Sequence, residues 1–148
     1  MSRLPDLLHI DESDAYRDLL VRAFSASGVR AALHSFGYAA QALLFLNQLG
    51  PYVRAARPRL ILLDVGLPRI DGHGFLDLLR GNPRFATIPV LLLDDAPDQH
   101  DSSRSGLHQS EDRCLKPTTQ QGLIDLLRSH DHWLMGSSVS LPASPLPS

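Results

Sequence analysis

The chain has 148 residues, 43% hydrophobic and 20% charged, with a formal charge of -2 at pH 7. One domain of that length buries roughly two thirds of its unfolded surface without help from disulfides or metals, and so even a charge balance gives no reason to expect nucleic acid or an anionic membrane as partner. A lone cysteine, Cys114, excludes an internal disulfide, no charged leader with an apolar stretch opens the chain, and its apolar runs fall far short of a membrane span, so the expected location is the cytoplasm.

Residues 7 to 10 (Leu-Leu-His-Ile) read as a short first strand, followed by the acidic Asp11-Glu12-Ser13-Asp14. Leu19, Leu20, Ala23 and Phe24 then recur at helical spacing, with Ser13 or Asp14 to cap the helix and Gly28 to stop it. Val29 to His34 alternate as a second strand, and Tyr38 to Leu49 form a second helix with Ala39, Ala42, Leu43 and Leu46 on one face. A loop from Gly50 to Pro58 leads into Leu60-Ile61-Leu62-Leu63-Asp64. Four consecutive aliphatic residues mark a strand buried on both faces, and the carboxylate that ends it stands at the rim of a sheet.

Gly72 to Arg80 read as a third helix, ended by Gly81-Asn82-Pro83. Pro89 to Leu93 form a fourth buried strand, stopped by Asp94-Asp95, and the polar stretch from Ala96 to Asp112 gives only a weak helical pattern. Arg113-Cys114-Leu115 make a short fifth strand before Lys116-Pro117, and a last helix from Thr118 to Leu134 turns Leu123, Leu126 and Leu127 inward. His130-Asp131-His132 reads as a solvated helix end rather than a metal site, because residues two apart on a helix do not face each other. The Ser/Pro-rich tail, 136 to 148, is expected to be disordered, which leaves 1 to 135 as the domain.

Strands alternating with helices at these spacings imply an α/β fold, a parallel sheet covered on both faces through right-handed crossovers. In such a sheet all strand C-termini share one edge, where ligands bind. Asp11/Glu12, Asp64, Asp94 and Lys116 therefore converge although they are far apart in sequence. Several carboxylates with one ammonium suit a hard cation such as Mg²⁺, which takes oxygen ligands and keeps several waters.

These residues resemble a two-component response-regulator receiver domain from Leu7 to about Leu134. The likeness is carried by Asp11-Glu12, by Asp64 in Asp-x-x-Leu-Pro-x-x-Asp-Gly, by Ile88-Pro89-Val90 and by Lys116-Pro117. It implies a flavodoxin-like, doubly wound five-stranded sheet of order 2-1-3-4-5 with about five helices. It further implies that Asp64 is the phosphoacceptor for a histidine kinase, and that Asp11, Glu12, Asp64 and the Gly66 carbonyl hold Mg²⁺ or Mn²⁺. Lys116 would pair with the phosphoryl oxygens, its peptide to Pro117 being cis in many relatives.

The long connection from Gly50 to Arg59 and the ending around His132-Trp133-Leu134 resemble the single-domain receivers associated with bacterial phytochromes. That implies a free-standing regulator, a phytochrome-type sensor kinase as partner, and a homodimer through the last helix with Trp133 and Leu134 at its interface.

Two positions depart from the family pattern. Thr or Ser normally stands at Asp94, and a carboxylate about 4 Å from a phosphoryl group is repelled by on the order of 4 kcal/mol at an effective dielectric near 20. Arg113 stands where many receivers carry a switching aromatic. These departures admit an alternative, a pseudo-receiver that binds partners without phosphorylation, locked by an Asp94 to Lys116 salt bridge. A magnesium phosphohydrolase is a third reading, disfavoured because Gly66 occupies the place of the second Asp such enzymes carry.

Overall fold

The computed structural model describes residues 4–65, 72–95 and 112–135. In chain order the described elements are β1 (Asp6–Ile10), α1 (Asp14–Ser27), β2 (Ala32–Phe36), α2 (Ala39–Leu46), a 3-10 turn (Gly50–Tyr52), β3 (Leu60–Asp64), α3 (Gly72–Arg80), β4 (Val90–Asp94), β5 (Asp112–Leu115), α4 (Gln120–Ser129) and α5 (His132–Met135). The strands form one parallel sheet of order β2-β1-β3-β4-β5, which is the expected flavodoxin-like topology.

The aliphatic runs occupy the three central strands, and every residue of β1, β3 and β4 is buried. Because strand side chains alternate between faces, each run feeds two cores. Leu8, Ile10, Ile61, Leu63, Val90 and Leu92 pack with Ala42, Phe45, Phe75 and Leu79 of α2 and α3. On the other face Leu7, Leu60, Leu62, Leu91 and Leu93 pack with Leu20, Ala23, Leu123, Leu127 and Leu134 of α1, α4 and α5.

Several boundaries differ from the sequence reading, each for a local reason. The second strand begins at Ala32, not Val29, because Gly28 first turns the chain through a left-handed φ of 77° and the ladder starts with the Ala32 amide on the Pro5 carbonyl, 2.8 Å away. α2 stops at Leu46, where both the backbone and the side-chain amide of Asn47 return to the Leu43 carbonyl. The stretch expected as one last helix is two: at the junction Ser129 and the His130 ring both engage the Leu126 carbonyl, and the amides of Trp133 and Leu134 restart on the carbonyls of His130 and Asp131. Of the two expected cap candidates, Ser13 caps α1, as the reading allowed, by accepting from the Tyr16 amide. The expectations for 96 to 111 and for the tail lie outside the described residues.

Candidate functional site

Parallel strands deliver their ends to one edge, and backbone hydrogen bonds fix the relative height of those ends. The Asp11 amide donates to the Phe36 carbonyl (2.9 Å), that of Val65 to Leu93 (3.2 Å) and that of Lys116 to Asp94 (2.9 Å). Asp11, Glu12, Ser13, Asp64, Val65, Asp94, Asp95 and Lys116 thereby line a single cleft of about 300 Å³. Asp11 and Asp94 are each only 1% exposed and Asp64 9%, while Glu12 is exposed at the rim.

The Lys116 ammonium ties the cleft together, with Nζ 2.8 Å from Asp11 Oδ2 and 3.5 Å from Asp64 Oδ1. Burial alone would lower its pKa, but the hydrogen bond to Asp11 and the charges of Asp11, Asp64 and Asp95 outweigh that and raise it above the ordinary lysine value. Asp11 is further oriented because its Oδ1 accepts from the Ser13 amide (2.9 Å) and its carbonyl from Arg17 (2.6 Å). Asp94 faces a second cation, with Oδ2 4.0 Å from Arg113 Nη1. Asp94 pairs in register with Leu115, so Arg113, two residues earlier, lies on the same sheet face.

The residues singled out from sequence thus fall into distinct places. Asp11, Glu12, Asp64, Asp94 and Lys116 share the cleft, with Arg113 beside Asp94, and Gly66 lies outside the described residues. The Lys116 to Pro117 peptide, expected to be cis, is a correction: no peptide among the described residues is cis. The trans form is favoured by about 0.5–1 kcal/mol before a proline, and through it Lys116 already reaches both carboxylates. Leu134 also needs correction as an interface residue, since it is 4% exposed and packed in the core, whereas Trp133 and Met135 are exposed.

Sequence reasoning missed Tyr16. Its hydroxyl donates to the Pro117 carbonyl (2.6 Å) and its ring centroid lies 4.3 Å from Lys116 Nζ. The only sequence signal was an aromatic one turn into the helix that follows the acidic pair. His9, two residues before Asp11, was read only as part of the first strand. It is fully buried, shares a hydrogen bond with Ser35 Oγ (2.7 Å), and burial lowers its pKa to about 4.

The donor set fits a hard divalent cation. Asp11 and Asp64 both reach the one ammonium in the cleft, and Mg²⁺ characteristically takes one or two carboxylates and fills its shell with water. Among the described residues no group of three or more His, Cys, Asp or Glu is placed to hold a metal ion, so the protein's side-chain ligands would be these two carboxylates.

No family model matches the chain. It is 30% identical over 142 residues to the response regulator Rcp1 of Synechocystis, spanning 93% of each protein. The Mn²⁺-bound structure of Rcp1 superposes with a TM-score of 0.73 at 27% identity, covering 90% of this chain and 96% of that one. The phosphorylated cyanobacterial phytochrome response regulator RcpA shares the fold with a TM-score of 0.76 at 24% identity, covering 99% and 100%. Fold and cleft together define a signalling receiver, and the chain belongs to the response-regulator receiver family of two-component systems.

Proposed function

We propose that the domain accepts a phosphoryl group on Asp64 from the phosphohistidine of a sensor kinase, with Mg²⁺ or Mn²⁺ bound by Asp11 and Asp64, and acts as a free-standing cytoplasmic regulator. The observation that carries this reading is the Lys116 ammonium shared between Asp11 and Asp64. A carboxylate oxygen of Asp64 attacks phosphorus, the phosphorus–nitrogen bond breaks, and its electron pair returns to the imidazole of the kinase. A divalent cation held by Asp11 and Asp64 would supply positive charge to the phosphoryl oxygens. Lys116 supplies the second counter-charge from the end of β5 at the same sheet edge, and such transfer depends chiefly on positioning and charge neutralisation. Glu12, exposed at the rim of the cleft, would add a further carboxylate to the site of such a cation. The 30% identity to the response regulator Rcp1 across 93% of both chains supports the receiver reading, and the phytochrome association of RcpA supports a phytochrome-type kinase as donor.

A second reading is favoured by one observation, the buried Asp94 beside Arg113. Arg113 draws the Asp94 charge toward β5, which reduces its repulsion of a phosphoryl group, yet no hydroxyl stands there to bind one. In the pseudo-receiver reading this pair, rather than an Asp94 to Lys116 bridge, holds the domain in one state. The two are separated by adding beryllofluoride and Mg²⁺ and following backbone amide spectra. The phosphoacceptor reading expects saturable shifts near Asp64 and Lys116 that vanish in Asp64→Asn. An unresponsive wild-type protein, with response gained in Asp94→Thr, selects the pseudo-receiver.

A further inference from the structure

The phenol of Tyr16 stands against Lys116 at the cleft, and phosphoryl acceptance, as described, does not use it. Its hydroxyl holds the carbonyl of Pro117 at 2.6 Å, a contact 101 residues away along the chain. Its ring lies beneath the ammonium, 4.3 Å from centroid to Nζ. One side chain therefore grips both the backbone that follows Lys116 and the charge that Lys116 carries.

This double hold addresses a specific difficulty. Lysine is a compact charge on a flexible four-carbon stem, and its carboxylate partners here, Asp11 and Asp64, are the same groups that a divalent cation and a phosphoryl group would engage. An aromatic face attracts an ammonium without offering an anion that those ligands could claim. The tyrosine itself is anchored one turn into α1, where the Ser13 cap accepts from its own amide. Burial and the neighbouring carboxylates keep the phenol protonated, so it remains a donor to Pro117.

We propose that Tyr16 is a positioning residue for phosphoryl transfer: it holds Lys116 over the cleft, ring to ammonium and hydroxyl to the Pro117 carbonyl, while Asp11 and Asp64 change partners. The proposal rests on Asp64 being the phosphoacceptor. It leaves the chemistry with Asp64 and gives Tyr16 the task of keeping the ammonium where the phosphoryl oxygens arrive.

The test uses the full chain with Mg²⁺ and acetyl phosphate, comparing Tyr16→Phe, which keeps the ring, with Tyr16→Leu, which removes it. In wild-type protein the Lys116 ε-methylene protons are displaced upfield by the ring; the displacement persists in Tyr16→Phe and disappears in Tyr16→Leu. At saturating phosphodonor, Tyr16→Leu modifies Asp64 slower by on the order of tenfold to a hundredfold, and Tyr16→Phe recovers most of the rate. Both variants are checked for wild-type amide spectra away from the cleft, so that a folding defect is not read as a positioning defect. A wild-type rate in Tyr16→Leu, or undisplaced Lys116 protons in the wild-type protein, would overturn the inference. If wild-type protein takes no phosphoryl group at all, the phosphoacceptor reading fails instead, and the transfer role of Tyr16 falls with it, whereas the proton displacement reads its hold on Lys116 separately.

Discussion

At the scale of single residues the cleft is a problem of charge. Five carboxylates and one ammonium line it, so removing the ammonium leaves buried Asp11 facing like charges. Lys116→Met is expected to destabilise the metal-free protein by about 3–5 kcal/mol in urea unfolding, with part recovered on adding Mg²⁺. His9 gives a separate signature in pH. Its pKa is about 4 in the fold against 6.5 unfolded, so the unfolded chain binds the extra proton between those values. Stability is therefore full above the unfolded value and falls as pH drops toward 4, by on the order of 3 kcal/mol. Unfolding measured from pH 7 to 4 in wild type and His9→Gln checks this, the variant losing that part of the slope. The convergence of Asp11, Asp64, Asp94 and Lys116 was legible in the sequence because each ends or follows a strand. The pairing of Asp94 with Arg113 was not, because it depends on the register between β4 and β5.

At the scale of elements, the loop that carries Lys116 is held between β5 and α4. The Lys116 amide is tied to Asp94, and Thr119 caps α4 by accepting from the Gly122 amide at 3.0 Å. Thr119→Ala should cost about 1 kcal/mol in thermal or denaturant unfolding while leaving the Lys116 contacts in place. The central strands were readable because their aliphatic runs are buried on both faces, and the helices between them because their apolar residues recur at helical spacing. Edges were harder. β2 and the α4/α5 break are set by individual hydrogen bonds, from Ala32 to Pro5 and from the Ser129 and His130 side chains to Leu126, that composition does not reveal.

At the scale of the whole molecule, two cores on opposite faces of one sheet form the frame that keeps the strand ends in line. Leu62, fully buried in the core shared by α1 and α4, lies away from the cleft lining. Leu62→Ala should cost about 2–5 kcal/mol in equilibrium unfolding, and a much smaller loss would mean that this core collapses readily around the vacancy. The frame was predictable from the alternation of strands and helices; the trans Pro117 and the inward Leu134 depend on how that frame closes around particular side chains. The central claim, that this frame presents Asp64 as a phosphoacceptor despite Asp94, is tested most directly by intact-mass and peptide mapping after incubation with acetyl phosphate and Mg²⁺. One added phosphoryl group mapped to Asp64, and none in Asp64→Asn, is the expected result; an unmodified wild-type chain, or the same modification in Asp64→Asn, would contradict it.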